Sequence, residues 1–187
     1  IQYNKLLVAP DQLRPRLEEL IDREIESGRG RMILKMNSLV DAPMIQKLYE
    51  ASQAGVDIDL IIRGSCGLRP GVPGLSDRIR VRSLVGRYLE HSRIFHFANA
   101  NGPGQAETYI GSADLMSRNL NRRVEALVRI DDQRAQQRIA EILDVVLNDD
   151  RLAWTLASDG VWTKRRGPAA IDTHARLQQL ARARTNG

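Results

Sequence analysis

Three short stretches hold residues whose types and spacing can do phosphate chemistry. The first is His91-Ser-Arg93, leading into the run Ile94-Phe-His-Phe97. On an extended backbone side chains two apart share a face, so His91, Arg93 and Phe95 project the same way. Imidazole can act as nucleophile or general acid near neutral pH, and phosphoryl transfer uses both roles. An adjacent guanidinium can hold the transferred group and neutralise charge on its oxygens. Taken alone, the pair also reads as a surface histidine at a strand start. His96 falls on the opposite face and His174 lies near the C-terminus; both read as structural.

The second stretch is Gly111-Ser-Ala-Asp114-Leu-Met-Ser-Arg118-Asn119. A Gly-Ser step after a strand leaves backbone amides and the Ser112 hydroxyl available to a phosphate oxygen. Asp114 and Asn119 can fix a histidine tautomer or the loop itself. An ordinary turn with Asp114 capping a short helix is the simpler alternative. The third stretch is Ile61-Ile-Arg63-Gly64, a charge at the end of an apolar run and just before a glycine. Ligands of open α/β sheets collect at the carboxyl ends of strands, and Arg63 stands there. Lys35 and Asn37 hold the equivalent place one strand earlier, where they can line the same mouth, although a purely structural role is the simpler reading for both.

Positioning these residues calls for a mixed sheet. Leu6 to Pro10 reads as a brief strand, and Asp11 or its neighbours cap a helix over about 12–27 with Leu13, Leu17, Leu20 and Ile21 on one face. Arg31 to Asn37, a helix over about 42–54 with Pro43 in its first turn, and Val56 to Ile62 have the size of a right-handed parallel crossover. Four further strands follow at 79–84, 93–97, 108–110 and 124–130, with a turn at Asn101-Gly-Pro-Gly104. An amphipathic helix over 135–147, a hairpin around Asp159-Gly160 and a last helix near 171–183 complete the chain. The expectation is one α/β domain, a mixed β-sheet flanked by helices, over residues 1–165, with a basic helical tail over 166–187. An opening Ile-Gln-Tyr in place of Met reads as part of a longer chain.

Composition narrows the chemistry. With 187 residues and 42% hydrophobic content a real core is affordable, while 4% aromatics make it aliphatic. The single cysteine, Cys66, excludes an intramolecular disulfide and fits a reducing cytoplasm. No apolar run approaches the ~18 residues of a membrane span. The net charge of +5 is concentrated in the tail, where Lys164, Arg165, Arg166, Arg176, Arg182 and Arg184 face one acid, Asp172. Between Ile61 and Arg93 seven arginines face only Asp77 and Glu90, the composition that bidentate phosphate recognition favours, although several alternate with apolar residues like the wet face of a strand. A phosphate-binding Walker loop, zinc-like Cys/His spacing and paired-carboxylate metal motifs are all missing from the sequence, so no metal ligand is assigned to this chain.

His-x-basic followed by Gly-Ser-x-Asp-x-x-x-Arg resembles one half of the phospholipase D superfamily, with Arg93 in place of the usual lysine and Ala98 in place of an aspartate. Lys35-Met-Asn-Ser-Leu-Val-Asp41, Ile62-Arg-Gly-Ser-Cys66, Arg87-Tyr-Leu-Glu-His-Ser-Arg93 and Ser112-Ala-Asp-Leu-Met-Ser-Arg-Asn119 together resemble the C-terminal domain of the polyphosphate kinase family. That resemblance implies a phospholipase-D-like fold and reversible transfer of the terminal phosphate of ATP to polyphosphate, leaving ADP. It implies that a histidine of a preceding domain carries the phosphoryl group, and that Mg2+ is held mainly there. His91 then corresponds to the second histidine, Arg63 and Arg93 contact nucleotide phosphates, and Ser112, Asp114, Arg118 and Asn119 support the site. It also implies partners upstream in the same chain, a homo-oligomer, no specific nucleic acid, a cytoplasmic or membrane-peripheral location, and little activity from this stretch alone. Two rivals stay open: a phosphodiesterase or nuclease half-site that dimerises to pair two His91 residues, and a polyanion-binding module without chemistry.

Overall fold

A computed structural model describes residues 5–99 and 105–185. The turn expected at Asn101–Gly104 lies outside the described residues. In chain order the elements are β1 (Leu6–Val8), α1 (Leu13–Glu26), β2 (Arg31–Met36), α2 (Ala42–Gln53), β3 (Asp57–Ile62), β4 (Ile79–Leu84), β5 (Arg93–Phe97), β6 (Glu107–Gly111), α3 (Ser117–Asn121), β7 (Ala126–Arg129), α4 (Gln133–Asn148), β8 (Ala153–Leu156), β9 (Trp162–Lys164) and α5 (Thr173–Thr185).

The strands form one nine-stranded sheet in the order β1-β7-β6-β5-β2-β3-β4-β8-β9. β2, β3 and β4 run parallel, and every other neighbour pair is antiparallel. β2–α2–β3 is the expected crossover. β2 and β3 are buried almost throughout because both faces of the sheet centre are covered. Alternation sorts their side chains. Met32, Leu34, Met36, Leu60, Ile62, Phe95 and Phe97 join the large core under α1 and α2. Ile33, Ile61 and Ile94 point the other way, to Ile139, Leu143 and Val146 of α4.

Local chemistry explains the helix ends. Asp41 caps α2 by accepting from the Met44 amide at 3.2 Å and also takes a bidentate grip from Arg14 at 3.0 and 2.8 Å. Asp132 caps α4 by accepting from the Ala135 amide at 2.8 Å. The cap expected at Asp11 or its neighbours falls on Gln12, which is the N-cap of α1 and makes no side-chain capping bond. β7 is shorter than its apolar run suggested, because Val124 lies outside the strand and is 85% exposed.

Topology gathers the chemistry on one edge. The carboxyl ends of β2 and β3, the start of antiparallel β5 and the end of β6 all open there, since Arg93 pairs with Gly111 and Lys35 with Ile94. Beneath it three loops are stitched together through Leu39, which bridges both Cys66 and Leu115. The Leu39 amide donates to the Ser65 carbonyl at 2.9 Å, and the Leu115 amide to the Ser38 carbonyl at 3.1 Å.

Candidate active site

His91 is the last exposed residue but one before β5, and Arg93 is the first residue of that strand. One Arg93 Nη lies 3.1 Å from His91 Nδ1 and 3.3 Å from Nε2, and donates to the His91 carbonyl at 2.9 Å. A single donor close to both ring nitrogens holds the imidazole by its face instead of fixing one tautomer. The other side of the guanidinium grips Asp114, Nε at 3.3 Å and Nη2 at 3.1 Å. Asp114 is therefore neither a histidine partner nor a helix cap; α3 begins at Ser117 with Met116 as its N-cap.

Asp114 carries the chain of contacts inward. It accepts from the Asn37 backbone amide at 2.7 Å, and the Asn37 amide group lies 3.5 Å from its second oxygen. The Asn37 side-chain oxygen accepts from Arg63 Nε at 2.9 Å. His91, Arg93, Asp114, Asn37 and Arg63 thus form one continuous polar string across β5, β2 and β3. Both Nη groups of Arg63 remain without a partner among the described residues, so a fixed guanidinium presents two free donors outward. Beside it a recess of about 310 Å³ is lined by Arg63, Gly64, Ser83, Val85, Trp154 and Trp162.

The other expected site residues form the support. The Ser112 hydroxyl donates to Glu125 at 2.5 Å, and the Asn119 amide donates to the other oxygen of Glu125 at 2.7 Å. The knot fixes the 111–125 loop, and its hub, Glu125, is a buried acid that no motif had marked. Gly111 is required here: a Cβ would lie 2.0 Å from the Ala126 carbonyl oxygen. Arg118 is exposed on α3, and its guanidinium has no partner among the described residues.

Lys35 is 3% exposed and pairs with Glu90 at 2.8 Å, while donating to the Ser92 hydroxyl at 2.9 Å. Burial pushes the Glu90 carboxyl up, but Lys35 and His174 together bring it below its ordinary value. His96 lies on the far face, bonded to Thr108 at 2.9 Å, where burial and then Arg31 lower its affinity for a proton. The arginine-rich stretch is partly neutralised within the fold, with Arg78 3.5 Å from Asp57, and Arg80 and Arg82 at 2.9 and 3.5 Å from Asp59. Arg80 fits the wet face of β4, Arg82 is buried against the Leu147 carbonyl, and none of the three lines the recess at the mouth.

No set of three His, Cys, Asp or Glu side chains able to hold a metal occurs among the described residues. The carboxylates near the mouth, Glu90, Asp114 and Glu125, are each engaged by cations or amides. This donor set does not fit a magnesium site.

The sheet, its order and its loop-borne histidine define the class first: the chain has the fold of the phospholipase D superfamily. It superimposes on Nuc from Salmonella typhimurium, a phospholipase D family member, with a TM-score of 0.56 and 14% identity over 87% of this chain and 97% of that one. For NucT from Helicobacter pylori the TM-score is 0.55 at 13% identity, over 78% of this chain and 95% of that one. Those identities speak for the fold alone.

The family profile described as polyphosphate kinase C-terminal domain 2 matches residues 6–176, and the chain belongs to the polyphosphate kinase family. It is 56% identical to a polyphosphate kinase of Thermosynechococcus vestitus over 94% of this chain, and 52% identical to one of Synechocystis over 95%. The crystal structure of polyphosphate kinase from Porphyromonas gingivalis superimposes with a TM-score of 0.92 and 39% identity over 98% of this chain and 28% of that one. The chain spans 24% of the length of each of the two cyanobacterial relatives.

Proposed function

We propose that the edge carrying His91, Arg93 and Arg63 is half of a phosphoryl-transfer site that moves the terminal phosphate of ATP to polyphosphate and back. The observation that carries this reading is the unbroken polar string from His91 to Arg63. It sets an imidazole at one end and two free guanidinium donors at the other, within a family of polyphosphate kinases. Arg63 binds nucleotide phosphate with its outward Nη groups. Arg93, locked by Asp114, supports negative charge on the moving group beside His91. His91 donates a proton to, or stabilises, the oxygen from which the phosphoryl group departs.

The phosphohistidine belongs to a domain that precedes this one, and Mg2+ arrives on the ATP phosphates or through that domain. Residues 1–165 act as the domain that carries the site and 166–187 as its helical tail, within a homo-oligomer in the cytoplasm or at the membrane surface. Among the described residues no helix is long and apolar enough to cross a membrane.

The test uses the natural full-length protein with ATP and magnesium and measures acid-insoluble polyphosphate. His91→Ala and Arg63→Ala are each expected to lower turnover by about 10²–10⁴-fold with an unchanged melting midpoint. Near-normal turnover in both variants sinks the site assignment.

A further inference from the structure

The tail helix α5 reaches the segment that bears His91. His174, in its first turn, is 7% exposed, and its Nε2 lies 2.8 Å from Glu90 Oε1. Its Nδ1 accepts from the Tyr88 amide at 3.3 Å, so the ring proton sits on Nε2 and is donated to Glu90. The second Glu90 oxygen holds Lys35, which also donates to the Ser92 hydroxyl and, at 3.3 Å, to the Ser92 carbonyl. The residues on either side of His91 are therefore anchored to one buried ammonium, and His174 saturates the carboxylate between them.

Three further contacts confine the clasp. The Tyr88 and His174 rings lie 5.2 Å apart, and the Gln178 amide, one turn on, donates to the Tyr88 hydroxyl. Gly86 runs so close to α5 that a Cβ would fall 2.8 Å from His174 Nδ1. The entry of α5 is itself fixed, because Asp149 accepts from the Thr173 amide at 2.7 Å and from the Leu152 amide at 2.6 Å. Among the described residues His91 owns no such anchor beyond Arg93, so its place depends on its neighbours.

We propose that His174 is a positioning residue for His91: acting through Glu90 and Lys35, it clasps residues 88–92 so that the His91 imidazole stays against the Arg93 guanidinium. The inference rests on the reading of His91 as a catalytic group. Losing the clasp leaves Glu90 short of a donor and lets the loop shift, and a displacement of about 1 Å at a reacting group can lower a rate about 100-fold. Arg63, just past the end of β3, is held by Asn37 and not by the clasp, so nucleotide binding is untouched and the loss falls on kcat and not on KM.

The experiment compares His91→Ala, His174→Ala and His174→Gln in the natural full-length protein, measuring kcat and the KM for ATP of polyphosphate synthesis. His174→Ala is expected to lower kcat about 10–100-fold while KM changes less than about twofold. His174→Gln keeps an amide donor where Nε2 stood and is expected to recover most of that loss. If His174→Ala melts below the assay temperature, His174→Phe, which keeps the ring and loses the donor, is read in its place.

A kcat within about twofold of the parent, or a rise in KM alone, overturns the proposal while His91→Ala remains inactive. Failure of the glutamine variant to recover activity overturns it as well. Normal turnover in His91→Ala overturns both this inference and the reading of the site beneath it.

Discussion

Arg93 shows what a guanidinium does that an ammonium cannot. Its Nε and Nη2 hold Asp114 while Nη1 faces His91, three directions served by one rigid plane. A lysine at this position has one nitrogen and must abandon either Asp114 or His91. Arg93→Lys is therefore expected to lower polyphosphate synthesis about 100-fold with little change in melting midpoint. Parent-like turnover in the lysine variant would show that the fork is dispensable. The presence of His91 and Arg93 on one face was legible from alternation, because Phe95 and Phe97 continue that face into the core. The Glu125 hub was not, since an acid beside an exposed valine looks like any surface acid until Ser112 and Asn119 are seen to converge on it.

At the scale of elements, β5 and β6 deliver two motifs twenty residues apart to one place, because Arg93 and Gly111 are register partners. The close approach of β7 at Gly111 leaves no room for a side chain there. Gly111→Ala forces a carbonyl or a strand to move, and we expect a loss on the order of 3 kcal/mol of unfolding free energy in urea. A loss below about 0.5 kcal/mol would mean that the edge is more compliant than its geometry implies. The β2–α2–β3 crossover could be read in the sequence from its apolar runs, its proline at the helix start and its closing glycine. The joining of α5 to the His91 segment could not. Glu90 and His174 are 84 residues apart, and neither periodicity nor motif spacing carries information about a partner at that distance.

For the whole molecule, buried acids set the response to pH. Burial raises Glu107 and Asp149, but the Tyr109 hydroxyl, Arg23 and Arg16 outweigh it for Glu107, and the Thr173, Leu152 and Ala153 donors outweigh it for Asp149. With Glu90, these carboxyls sit below their ordinary values when folded. They stabilise the fold at neutral pH and surrender that stability as pH falls past 4.5 for the glutamates and 3.8 for the aspartate toward their lower folded values. Glu24 runs the other way, since burial raises it and its protonation on acidification favours the folded state. Three depressed carboxyls outweigh one, so the melting midpoint is expected to drop steeply between about pH 4.5 and pH 2. Asp149→Asn should flatten part of that slope at a cost of about 2–4 kcal/mol at pH 7. A midpoint that stays level down to pH 3 contradicts the assignment.

The recess beside Arg63 has one more consequence. Trp154 and Trp162 are the two tryptophans of the sequence, and both line it. Excited at the red edge, where tyrosine no longer absorbs, the folded chain therefore emits only from indoles that share a wall with the free guanidinium donors. The protein carries its own optical reporter at the corner where phosphate is proposed to dock, and occupancy there can be followed by colour and intensity without attaching a dye.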